Sequence, residues 1–354
     1  MGGRVPNQAA DEIRAAIQAA PPGSGGRAIS FEHYMRLALY GVGGFYATDG
    51  AAGRRGDFIT SPEVGPLFGA VIARMVDDAW RVAGSPQTFT VVDAGAGPAT
   101  LLRSIRAAVP VCLHALQFVA VETSASQRSG HPEFFRSLAE LPAEPFDGVV
   151  IANELLDNLP FRLFVMDGGW REAYVVEQRD GAFAEVLRSA DDLDALALPA
   201  AAHGARVPVQ QCGRWVADAM ARLRRGRLVL VDYAAATTVA LAGRPYREWL
   251  RTYRGHERGS HYLRDAGQQD ITNEVALDQL FGVAGEPDAV RTQAQFLQRW
   301  GIVELVEQGR QVWSENVTRP TVAALTMRSR VREAEALLDP DGLGAFTVVE
   351  YSAP

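Results

Sequence analysis

The sequence contains no lysine, so all 35 of its basic residues are arginine. Against 42 acidic residues they leave a net charge of −7. A surface of that sign disfavours nonspecific nucleic-acid binding, which needs a basic face, and no nucleic-acid partner is expected. Cysteine is nearly missing too. Cys112 and Cys212 stand far apart, which gives neither a disulfide framework nor a thiolate metal spacing and fits a reducing compartment, expected to be a bacterial cytoplasm. The 6 histidines are scattered. His256 and His261 are the closest pair, a weak metal signal, so no metal is expected. No apolar run approaches the roughly 18 residues of a membrane span. The N-terminus has no apolar signal core, and Pro6 occupies the position where myristoylation needs Ser or Thr.

The 354 residues, 47% of them hydrophobic, suffice for one large α/β domain with additions, or for two domains. The chain is organised around residues 88–100, TFTVVDAGAGPAT. Phe89, Val91 and Val92 read as a buried parallel-sheet strand. Asp93 closes that strand. Gly95 and Gly97, without Cβ atoms, permit a sharp turn and close approach of a ligand, and a helix follows near Leu101. Strand, glycine turn and helix place a nucleotide or nucleoside site at the carboxyl end of a parallel sheet. The dinucleotide fingerprint is incomplete, because Pro98 and Thr100 stand three positions after the two glycines. An acid before the first glycine suits S-adenosylmethionine better, since it can accept from an amino group or a bridging water.

Further core strands end on polar residues. The segment 116–121 (LQFVAV) leads to Glu122, 25 positions after Gly97, where a carboxylate can accept from two ribose hydroxyls. The segment 146–151 (FDGVVI) runs into Asn153, Glu154 and Asp157, expected at the same sheet edge; in a helix, Glu154 and Asp157 would share a face. The segment 226–232 (GRLVLVD) ends on Asp232 and Tyr233, and 347–351 is a closing strand. Upstream, residues 5–20 and a segment beginning near Phe31 read as helices with apolar stripes. The loop 53–63 carries Asp57, Thr60, Ser61 and Glu63. Capping of the next helix, by Ser61 with Pro62 or by a Thr60–Glu63 box, competes there with a role at the ligand. Residues 161–178 read as a β-hairpin, 182–198 as a surface segment, and 234–300 as a mainly helical insertion, with a helix cap at Asp270 or Thr272.

These motifs converge. The segments ISFEHYMRLALYGVGGFY, GDFITSPEVGPLFG, VVDAGAGPATLL, VAVETS, ANELLDNLPFRLF, LVDY, and DITNEVALDQL followed by QFLQRWGI resemble, in order, the MidA-type family of class I S-adenosylmethionine-dependent methyltransferases. This family includes the mitochondrial complex I assembly methyltransferase that modifies a protein arginine. The resemblance implies a Rossmann-like, doubly wound α/β sheet with an N-terminal helical segment and cofactor-covering loop over 1–80 and a methyltransferase core over 81–354. It implies S-adenosyl-L-methionine as cofactor and a protein substrate, with a complex I subunit as the family's example; a homodimer is a further expectation. Carried over by position, Asp93, Gly95 and Gly97 resemble the contact to the cofactor's amino-acid part and Glu122 the ribose acid. Asn153 resembles a residue beside the cofactor, and Thr60 and Ser61 the loop closing over it. Asp57, Glu63, Glu154 and Asp157 are the candidate catalytic carboxylates. The chain departs from the family at Asp93, where Glu is usual, and at Ala234, where Gly is usual. Those departures keep a second reading open, a cofactor-binding assembly protein with little turnover. A nicotinamide oxidoreductase is a third, disfavoured by the missing glycine.

Overall fold

A computed structural model describes residues 7–23, 26–47, 60–192, 197–255, 257–319 and 321–354. Its central sheet has seven strands. In chain order they are β1 (Phe89–Ala94), β2 (Leu116–Val121), β3 (Arg136–Leu138), β4 (Phe146–Asn153), β5 (Leu223–Asp232), β6 (Ala289–Thr292) and β7 (Thr347–Ala353). In space they run 3-2-1-4-5-7-6. All are parallel except β7, which is antiparallel to both β5 and β6. The apolar runs seen in the sequence are the strands buried on both faces: every residue of β1 is buried, and β4 is buried up to Asn153. Strand order reverses between β1 and β4, so their carboxyl ends flank a crevice.

Helices cover both faces. On one lie α4 (Pro66–Val82), α5 (Thr100–Ala107) and the helices Gln293–Arg299, Ile302–Asn316 and Val322–Leu338, packed around Phe68, Phe89, Phe296 and Leu337. Thus α4, inside the N-terminal segment expected over 1–80, belongs to the central layer. On the other face Cys212–Ala221 and Leu277–Ala284 close over Val92, Val150 and Leu230.

A second core lies beside this sheet. The helices α1 (Gln8–Ala19) and α2 (Phe31–Tyr40) bury Ile13, Ile17, Tyr34, Met35 and Leu39 at helical spacing. They pack on a five-stranded antiparallel sheet that contains the expected hairpin, Arg162–Met166 with Trp170–Glu177. Two expectations are corrected here. The stretch 182–198 is not simply a surface segment: Phe183–Arg188 is a strand of this sheet, held by six-residue pairing with 172–177 and by the Phe183 ring against Tyr34. The insertion over 234–300 is not mainly helical. Short strands, among them Leu250–Arg254 paired with Asp270–Asn273, alternate with short helices. Asp270 and Thr272 therefore cap nothing; both are buried within that strand.

Candidate functional site

The crevice between β1 and β4 opens into a cavity of about 620 Å³, within the range of small-ligand sites. Asp93, one residue before the end of β1, is buried and lines the cavity. Removal from water, and then the charge of Glu122, push its carboxyl up to about 7. The chain then turns on Gly95 (φ +76°) and Gly97 (φ +49°). Both turn amides, Gly95 N–H and Ala96 N–H, donate to the Val121 carbonyl at the end of β2, at 2.9 and 3.0 Å. A Cβ on Gly95 would stand 3.2 Å from Leu155 Cδ1, so the bare turn is needed as well as the positive φ.

Glu122 ties the turn down. Its Oε2 accepts from Gly97 N–H at 3.0 Å and its Oε1 from Ser124 N–H at 2.8 Å. His131 braces the same turn from below: one ring nitrogen lies 2.7 Å from the Gly97 carbonyl, the other 2.8 Å from Ser137 Oγ. Because the carbonyl can only accept, Nε2 is the donor of that contact.

Across the crevice β4 ends at Asn153. Its Nδ2 donates to Glu154 Oε1 at 3.0 Å, while its Oδ1 is buried with no donor. Glu154 sits in the left-handed region (φ +52°), where residues without glycine's freedom are held only by their surroundings. Its N–H donates to Val231 O at 2.8 Å. Burial, and then Asp157, push the Glu154 carboxyl up to about 8, against the opposing donors of Asn153 and the Ser61 backbone. The cavity is also lined by Thr60, the N-cap position of the short helix α3 (Ser61–Val64), by Glu63 within it, and by Arg36 and Tyr40 from α2.

The expected residues separate into groups. Asp93, Gly95, Gly97, Glu122, Asn153, Glu154, Thr60 and Glu63 all line this cavity. Ser61 does not: it is fully buried, and its Oγ donates to Gln293 Oε1 at 2.8 Å, joining α3 to the helical layer. Neither proposed cap forms, since Thr60 is the N-cap position and makes no side-chain cap bond. Asp157 lies behind the wall, because residues 156–158 form a 3-10 turn rather than the helix that would align it with Glu154. It receives the Thr272 hydroxyl, and its backbone carbonyl receives Asn273 Nδ2 at 2.6 Å. Its Oδ1 is buried without a donor. Asp57 falls outside the described residues.

Around Asp157 the fold collects more acid. Asp232 accepts from the amides of Leu156, Asp157 and Tyr233. Asp270 accepts from Tyr46 Oη at 3.0 Å and Asn158 Nδ2 at 3.1 Å. Burial raises all three carboxyls above their ordinary values, and mutual repulsion adds to the shift for Asp232 and Asp270. Sequence reasoning missed Asp270, Tyr46 and Asn158 as parts of this cluster. The strand-end position of Asp232 was the one readable signal.

A doubly wound sheet with an antiparallel last strand, a glycine turn after β1, and acids closing β1 and β2 is the architecture of a class I S-adenosylmethionine-dependent methyltransferase. The family profile described as S-adenosyl-L-methionine-dependent methyltransferase matches residues 71–294. That is well over half of the chain, which belongs to this family. Among curated proteins, zebrafish (Danio rerio) mitochondrial protein arginine methyltransferase NDUFAF7 is 25% identical over 325 residues, covering 77% of this chain and 73% of that protein. The Drosophila melanogaster homologue is 29% identical over 207 residues, 49% of this chain but only 46% of the relative's length. A Burkholderia thailandensis crystal structure with S-adenosyl-homocysteine bound superposes with a TM-score of 0.78 at 26% identity, covering 98% of this chain and 92% of that one.

The cofactor is thus S-adenosylmethionine, and the residues present fit it. Asn153 Oδ1 is an orphaned acceptor suited to an ammonium group, Glu122 can take hydroxyls on its remaining lone pairs, and Gly95 and Gly97 leave the backbone bare. Among the described residues no group could hold a metal ion and no helix is long and apolar enough to cross a membrane.

Proposed function

We propose that the chain methylates an arginine side chain of a protein partner. The observation that carries this reading is the buried acid beside the cofactor cavity. Glu154 lines the cavity, Asp157 stands behind it with one carboxylate oxygen lacking a donor, and neither is ion-paired among the described residues, Arg251 being paired to Glu274 instead. Buried carboxylates without a cation are costly and neutralise themselves by holding protons. A guanidinium is the planar, two-pronged cation that such a pair can hold.

When bound, S-adenosylmethionine supplies a methyl group made electrophilic by its sulfonium. The chain's own part is alignment and proton handling. Glu122 and the glycine turn fix the nucleoside end, and Asn153 Oδ1 fixes the amino-acid end. Glu154, ionised as the cation arrives, orients the guanidinium and accepts the proton that its nitrogen must lose. Asp157 balances the cation's remaining charge. Glu63, in α3, is the third candidate carboxylate. The names of the curated relatives support the arginine reading, and the acid cluster supports it independently.

The test is incubation of the purified chain with methyl-labelled cofactor and a cell lysate, followed by acid hydrolysis and mass spectrometry of the labelled residue. Methylarginine in a protein band is the expected result. Label in lysine, in a small molecule or in lipid overturns the acceptor. Tight cofactor binding with no label anywhere favours instead the assembly-protein reading that the departures at Asp93 and Ala234 suggest.

A further inference from the structure

A second cavity of about 580 Å³ opens on the far side of the acid cluster. It is lined by Tyr233, just past the end of β5, by Phe346 at the start of β7, and by Arg244, Arg251 and Glu274 from the insertion. The Tyr233 ring packs on Phe346 at 4.2 Å, and the Arg251 guanidinium lies 5.0 Å over its other side. Glu274 is shared: Arg251 Nη2 donates to Oε1 at 2.8 Å, and Arg244 Nη2 donates to Oε2. Two guanidinium groups thus share one partly buried carboxylate. Arg244 Nε is buried with no acceptor. Asp341, the remaining acid on this wall, is exposed at its rim.

The two cavities meet at the β4–β5 strand ends. Glu154 lines the first, and its N–H donates to Val231 O at 2.8 Å. Asp232 follows and accepts from the amides of Leu156 and Asp157, and Tyr233, next in the chain, lines the second.

We infer that the acceptor chain docks in the cavity of Tyr233, Arg244 and Arg251, beside the strand ends that carry Glu154, and that the arginine pair recognises an Asp or Glu close to the methylated residue in the acceptor chain. The inference rests on the arginine reading for the reacting group but not for the acidic neighbour. A carboxylate there would satisfy the unspent Arg244 donor. Tyr233 and Phe346 give the peptide an aromatic wall.

The experiment uses fluorescein-labelled heptapeptides with a central arginine flanked by aspartates, or by lysines, titrated against the whole chain loaded with S-adenosyl-homocysteine. Fluorescence anisotropy should show the acid-flanked peptide binding about tenfold tighter. Arg244→Ala should bring the two within about twofold while leaving S-adenosyl-homocysteine affinity unchanged by calorimetry. No acid preference in the unmodified chain, no measurable binding of either peptide, or a preference that survives both Arg244→Ala and Arg251→Ala, overturns the inference. A third peptide, acid-flanked with citrulline in place of arginine, separates the two claims. Equal binding of arginine and citrulline peptides with the acid preference intact sinks the arginine reading and leaves the second-cavity inference standing.

Discussion

The two halves of the site treat their acids differently. At the β1–β2 edge, Glu122 spends both carboxylate oxygens on backbone amides, Gly97 and Ser124, and so builds the turn it belongs to. At the β4–β5 edge, Glu154, Asp157, Asp232 and Asp270 crowd together, and Asp157 Oδ1 and Asn153 Oδ1 have no donor. The first edge ties Glu122 into its own turn, with Asp93 beside it buried and pushed up to about 7. The second holds more negative capacity than its own residues neutralise, which is how a site for a cation differs from a structural acid. Positioning and chemistry are thus divided between neighbouring strand ends of one sheet.

Breaking the second half should cost most. Glu154→Gln, which keeps the shape and the Asn153 contact, should lower labelled methyl transfer about a thousandfold while S-adenosyl-homocysteine affinity stays within about twofold. A loss of cofactor affinity as large as the loss of transfer would erase the distinction between the halves. Gly95→Ala does the opposite. A Cβ at φ +76° and 3.2 Å from Leu155 Cδ1 should weaken cofactor binding about tenfold or more, read by calorimetry, and leave the pH response of transfer unchanged.

The pH response sharpens the contrast. Glu154 is pushed up to about 8 and Asp93 to about 7, so the folded chain binds protons that the unfolded chain releases at lower pH. Their contribution to stability is fully present below the ordinary carboxylate range and is lost as pH rises through about 7 to 8. The melting temperature of the ligand-free chain should therefore fall between pH 5 and 8 by several degrees, and Glu154→Gln should flatten the upper part of that fall. Transfer runs the other way: kcat/KM should rise with pH through about 8, where half of the free Glu154 is ionised, and level off above it. The smallest effect is expected at Ser61. Removing its bond to Gln293 Oε1 in Ser61→Ala should cost about 1 kcal/mol of stability in denaturant titration, with cofactor affinity unchanged.

The central sheet was legible because strands buried on both faces are written as short apolar runs. β1, β2, β4, β5 and β7 all stand where those runs are. The polar edge of the crevice was legible for the same reason, since Asp93, Glu122 and Asn153 stand at or next to strand ends. Ser61 misled because a buried serine bonded across the fold looks in sequence like a helix cap. The helix that would have set Asp157 on one face with Glu154 does not form, and the backbone makes a 3-10 turn there. Asp270 lies 113 positions from Asp157, on a strand whose pairing with Leu250–Arg254 is invisible to local periodicity. The helical pair Ile302–Asn316 and Val322–Leu338 left no clear trace either. Its apolar positions are few, and its buried Glu333 accepts from the distant Leu67 amide as well as from the Ser329 hydroxyl.

The most direct test is a crystal structure of the chain with S-adenosyl-homocysteine. The account places its ribose on Glu122, its amino group on Asn153 Oδ1 and its sulfur facing Glu154. Density for the nucleoside beside Tyr233 in the second cavity, with the glycine turn untouched, would contradict it.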